Sequence, residues 1–237
     1  MRTRCKTRNA GTPPRHAAAA ALLSAALTLA GCGGGGGPPA SPVQTRAEAP
    51  APVHDALQRP QLFGDAFAEL KARPELRGHA LKVYQYVFFH DDGTVMLTVQ
   101  NPRHPGQLDH YEYRPASGDR PAPAWDGPQP FARDRDPAEL APQLIRLDAL
   151  PLQALPVADK ALDAQLQRLQ TLHPQQRENL ALADSDRAIY FVVGGRDGGQ
   201  RWESAINPLY AWPMSAYRFS FRPDGSFDAV EETPPPR

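Results

Sequence analysis

Cysteine is almost missing from this chain. The 237 residues hold two, Cys5 and Cys32, so nothing after residue 32 can be stapled by a disulfide and a packed core has to supply stability. No apolar run reaches the roughly 20 residues that a spanning helix needs; the longest, Ala17 to Ala30, is short and rich in alanine. No dense run of lysine and arginine occurs, which excludes a broad electrostatic footprint for nucleic acid. There is no Gly-x-Ser-x-Gly elbow, and no glycine-rich loop followed by lysine and serine or threonine. Those gaps remove the familiar settings for nucleophilic and phosphate chemistry.

The amino terminus is where the sequence is most explicit. Arg2, Arg4, Lys6, Arg8 and Arg15 form a cationic segment without an acid, followed by the apolar run to Ala30. This is the pattern of a secretory signal peptide, 1–31. Leu29 Ala30 Gly31 Cys32 closes it, with small residues just ahead of the cysteine. These four residues resemble the lipobox of bacterial lipoproteins. The resemblance implies that Cys32 receives a diacylglyceryl group, that the peptide is cut before it, and that the new amino terminus is acylated with a further chain such as palmitate. Two acyl chains already suffice for stable anchoring, at about 0.8 kcal/mol per buried methylene. Gly33 stands where inner-membrane lipoproteins of many Gram-negative bacteria carry Asp, so the resemblance implies the outer membrane with the body facing the periplasm.

Removal of 1–31 takes five of the 26 basic residues and none of the 26 acidic ones, leaving a mature chain at −5. Residues 32–52 follow as a lipidated cysteine and tether: five consecutive glycines and several prolines cannot bury enough apolar surface to order themselves. A coil of about 20 residues reaches roughly 25 Å. The remaining body divides into a first α+β half (53–114), an irregular connector (115–137), a second α+β half (138–233) and a proline-rich tail (234–237).

In the first half, Phe63, Ala66, Phe67 and Leu70 recur at helical spacing, Asp55 and Gln58 stand at the expected start, and Pro74 and Gly78 end the helix. Leu81 to His90 reads as a strand with two apolar faces: Leu81, Val83, Val87 and Phe89 against Tyr84, Tyr86 and Phe88. Asp91 Asp92 Gly93 turns it into a second strand, Thr94 to Gln100. Asp109 to Arg114 makes a third, with Tyr111 and Tyr113 opposite His110, Glu112 and Arg114. The connector holds many prolines, with Trp125 and Phe131 as hydrophobic pins.

The second half begins with a short helix over Ala138 to Leu147. A clearer one, Ala158 to Leu172, carries Leu162, Leu166 and Leu169 and ends at His173 Pro174; Gln175 to Leu182 adds a turn or two. Strands are expected at Ala188 to Val193, Arg201 to Ile206, Tyr217 to Phe221 and Phe227 to Val230. A glycine-rich turn at 194–199 separates the first two, and a loop with Tyr210 and Trp212 precedes the third. The fold class is α+β: antiparallel sheet with helices packed on one face, in two tandem units of a helix plus three or four strands. That unit is similar to the one found singly in PepSY-type modules and doubled in the beta-lactamase-inhibitor-protein type. The likeness implies a binding role and carries no motif residues.

His90, Asp91, Asp92, His104, Asp109 and His110 are residue types that zinc accepts, but their spacing matches no metal motif. Turn chemistry accounts for Asp91 and Asp92, and the solvent face of a strand for His110. No metal, cofactor or catalytic residue is expected, and the chain reads as no enzyme. Tyr84, Tyr86, Phe88, Tyr111 and Tyr113 are the candidates for contact with a partner, because a sheet with one helix per half leaves a face uncovered and aromatics anchor interfaces. The expected function is a non-enzymatic interaction module that binds a periplasmic or envelope protein in an assembly, inhibitory or immunity-type role. The alternative is a periplasmic hydrolase or small-ligand binder acting on cell-envelope material, with polar residues converging near Asn101 to His110.

Overall fold

A computed structural model describes residues 53–118, 120–184, 187–194, 199–206 and 215–234. The signal peptide, Cys32 and the tether lie outside the described residues, as do most of the glycine-rich turn, the loop with Tyr210 and Trp212, and the end of the tail.

Pro60–Ala72 forms helix α1, opened by a proline whose missing N–H costs nothing there. Asp55 does not cap it: a 3-10 turn at Ala56–Gln58 intervenes and the Asp55 side chain makes no capping bond. Phe63, Ala66, Phe67 and Leu70 are buried, the stripe expected from their spacing. Strands β1 (Lys82–His90), β2 (Val95–Gln100) and β3 (Leu108–Arg114) follow as an antiparallel meander.

The connector 115–137 is not irregular throughout. Ala124–Ala132 is a strand, β4, paired antiparallel with β3 through two register shifts. Its prolines, Pro128 and Pro130, argue against a central strand, but an edge strand needs half its N–H groups only for solvent. The expected helix from Ala138 is likewise shorter. One turn, α2 (Pro137–Leu140), is capped by the Asp136 carboxylate accepting from the Ala138 N–H. Leu144–Arg146 then becomes a short strand, β5, against the start of β1. Helix α3 (Leu155–Leu172) ends before Pro174 as expected, and α4 (Arg177–Asp184) follows.

Strands β6 (Ala188–Val193), β7 (Gln200–Ile206), β8 (Ala216–Phe221) and β9 (Phe227–Thr233) form a second meander. The two meanders share one nine-stranded sheet in the order β4-β3-β2-β1-β6-β7-β8-β9, with β5 off this path. The same outward path therefore runs twice from a common centre, where β1 and β6 pair antiparallel with Phe88 opposite Tyr190. The class is α+β, an antiparallel sheet with α1 and α3 on one face and the short α2 over one end of the other.

Helices α1 and α3 bury one face of the sheet. Phe63 meets Phe89 edge-on at 5.0 Å, Phe89 lies 5.7 Å from Trp202, and Trp202 lies 4.8 Å from Phe191. Leu162, Leu166 and Leu169 of α3 join the same cluster. The exception in that helix is Asp159, buried yet charged. Arg187 donates to it at 2.7 Å and reaches Asp163 at 2.6 Å with its other nitrogen, and the Gln58 amide donates to the second Asp159 oxygen. The pair ties α3 to the start of β6. Gly225, in the β8–β9 turn, has φ +85° and a Cβ there would stand 2.4 Å from the Ala154 carbonyl, so only glycine lets this turn seat against the start of α3.

Candidate interaction surface

Among the described residues, the opposite face of the sheet is covered by a helix only at one end, where Leu140 of α2 packs with Tyr84 and Leu108. Register fixes which residues stand on it: Phe88 pairs with Met96, Met96 with Glu112, Thr98 with His110, and Phe88 with Tyr190. At its centre three rings touch. Phe88 and Tyr190 are 5.0 Å apart, Tyr86 and Tyr190 6.0 Å, and Tyr86 and Phe88 6.1 Å. Tyr86 is 43% exposed, and Phe131 on edge strand β4 is 60% exposed. These rings sit on the two innermost strands, where neighbours on both sides hold the backbone.

A bulge shapes one side of the centre. Val83 pairs with Val99 and Val87 with Leu97, so β1 uses four positions where β2 uses two. Gln85 takes a left-handed φ of 49° there, a strained setting for a residue with a side chain. Gln143, just after α2, latches it: its side-chain oxygen accepts from the Gln85 amide at 2.5 Å and from the Tyr84 hydroxyl at 3.1 Å. Beside the bulge, Tyr84, Tyr86, Phe88, Met96, His110 and Phe131 line a depression of about 160 Å³. Small-molecule sites usually offer about 300–1,000 Å³, so this one suits an inserted side chain better than a substrate.

The far side of the open face is charged. Glu203 is buried and bonded to Arg201 at 2.5 Å. Burial raises the Tyr190 phenol above its ordinary range, and the adjacent Glu203 carboxylate raises it further by charge and hydrogen bond. The ring centre is thus flanked by the Glu203–Arg201 ion pair.

The five candidate partner residues do not form one surface. Tyr86 and Phe88 stand on the open face. Tyr84 points the same way but is buried, because Leu140 of α2 and Leu108 close over it. Tyr111 and Tyr113 belong to the helix face: Tyr111 is 1% exposed in the main core and Tyr113 packs on Trp125 at 5.4 Å. The reason is register, which sets Tyr111 opposite Leu97 and Tyr113 opposite Val95. Tyr111 lies under the Arg73 guanidinium, 5.6 Å from its ring centre. Burial, with help from the Glu75 and Asp109 carboxylates, pushes its phenol up to about 12. Burial works to raise Glu75 as well, but the hydrogen bond and charge of Arg73 hold that carboxyl below its usual range.

Tyr190, Met96 and Glu203 escaped the sequence reading. Tyr190 is hidden inside an unbroken apolar run, where a period of two cannot show, and only its pairing with Phe88 reveals its face.

The polar residues of the alternative reading are scattered. His104 is exposed in the β2–β3 loop, in an open recess with Arg103, Arg133 and Asp134. Asp109 is buried on the helix face, accepting from the Asn101 and Gln107 amides at 2.8 and 2.6 Å, so its carboxylate holds the loop. His110 lies on the open face. Asp91 and Asp92 are in the β1–β2 turn; Asp92 accepts from the Thr94 N–H at 2.8 Å, and burial raises the Asp91 carboxyl. Among the described residues no three His, Cys, Asp or Glu side chains gather as they would around a metal. Comparison of the chain with protein-family models, curated proteins and solved structures gives no match.

Proposed function

We propose that this chain is an outer-membrane lipoprotein, anchored through acyl groups on Cys32 at the periplasmic face of a Gram-negative envelope. Its body is a non-enzymatic binding module for another periplasmic or envelope protein. The anchor rests on Leu29 Ala30 Gly31 Cys32 and the cationic leader before it. The binding role rests above all on one observation: Tyr86, Phe88 and Tyr190 form a ring cluster on the open face, held on the two central strands with no helix of the described residues over it. Aromatics on a rigid backbone lose little entropy on binding and fill a partner's pockets. The depression at the bulge receives a side chain in return.

An assembly, inhibitory or immunity-type partner fits this surface equally. A hydrolase or small-ligand role gains less support, since His104, Asp109 and His110 stand in a loop, in the core and on the sheet face. Crosslinking in intact cells, followed by isolation of the chain from solubilised membranes, tests the reading. A partner recovered with the native chain should be lost with Y86A/Y190A while circular dichroism stays native. Recovery of the monomer alone, under several growth conditions, contradicts it.

A further inference from the structure

The two edges of the sheet are built differently. At the β4 edge, Pro128 and Pro130 have no N–H to offer, and the carbonyls of Trp125 and Gly127 accept from Arg73 at 2.8 and 2.6 Å. That edge is closed to a further strand by its own chemistry. Strand β9 has neither device. Phe227–Thr233 contains no proline, is exposed from Asp228 onward, and among the described residues pairs only with β8. Nothing among the described residues pairs with its outer backbone groups. Such a row of free donors and acceptors is a template for strand addition.

The side chains of β9 select what is added. Asp228, Glu231 and Glu232 are acidic and the strand has no base. Arg218, one strand inward, stands opposite Glu231; Arg222, just past that strand, is 3.8 Å from Asp228; and Glu232 stands opposite Tyr217. Val230, between the acids, is 41% exposed. A second copy is a poor occupant, because pairing β9 with β9 sets carboxylates against carboxylates, which destabilises a ladder. We infer that β9 is a docking edge for an extended, basic segment of a partner protein, added as a further strand with an aliphatic side chain over Val230 and lysine or arginine beside Glu231 and Glu232. This surface is separate from the aromatic centre of the open face.

The probe is a labelled peptide with a lysine pair on each side of a valine, Lys-Lys-Val-Lys-Lys, titrated by fluorescence anisotropy against the full chain in mild detergent. Binding is expected, with amide exchange slowed along β9. Affinity should fall at least tenfold in E231K/E232K and in the milder E231Q/E232Q, and stay unchanged in Y86A/Y190A. A peptide N-methylated at alternate residues keeps every charge and should not bind. Any one of three results overturns the inference: no binding to the native chain, binding without protection of β9 amides, or loss of binding in Y86A/Y190A with E231Q/E232Q unaffected.

Discussion

Phe88 and Phe89 are neighbours in sequence with the same ring, and the fold assigns them opposite jobs. Phe89 is fully buried on the helix face between Phe63, Phe67 and Trp202. Truncating such a ring removes its transfer free energy and leaves a cavity, so F89A should cost about 3–5 kcal/mol. Phe88 is only partly buried on the open face, where it touches Tyr86 and Tyr190. Half the transfer energy of a buried phenylalanine plus two ring contacts at the weak end of their range, about 0.5 kcal/mol each, comes to about 2 kcal/mol. Urea unfolding followed by tryptophan fluorescence measures both, since Trp202 packs within the Phe89 cluster. The gap should be at least about 1 kcal/mol, and F88A rather than F89A should abolish partner capture in a still-folded chain. Equal losses of stability, or an F88A chain that captures its partner normally, would refute the assignment of faces.

Three further outcomes follow from the same geometry. R187M removes the cation paired with the buried Asp159 carboxylate, leaving it the Gln58 amide, and should cost about 3 kcal/mol, whereas D163A, which breaks the more exposed arm of the same arginine, should cost less than about 1 kcal/mol; chemical denaturation separates them. The Tyr111 phenol titrates at about 12 when folded and near 10 when unfolded, so its contribution is complete below pH 10 and is lost as pH rises through 12; Y111F should shift the alkaline unfolding midpoint upward, read by phenolate absorbance. C32S should abolish incorporation of radiolabelled palmitate and release the body from the membrane fraction.

Much of the fold is legible in the chain because several of its strands alternate. The two faces of β1, the Asp91 Asp92 Gly93 turn and the Phe63-Phe67-Leu70 stripe follow from period alone. Strand β4 does not, since a proline-rich segment looks irregular until the position of an edge makes prolines harmless. Nor does the division of the tyrosines. Alternation says that Tyr111 and Tyr113 share a face, but only register shows that this face is the one carrying Leu97 and Val95. The single sheet is also a tertiary fact: the pairing of β1 with β6 joins segments about a hundred residues apart and leaves no local sign.

The central claim is that the open face, and not the helix face, meets a partner. A photo-crosslinking amino acid placed at Tyr86, and separately at Leu172 on the exposed end of α3, tests it in living cells. The account predicts one discrete adduct from position 86 and none from 172. Adducts from 172 alone, or from neither position in a correctly localised chain, would contradict it.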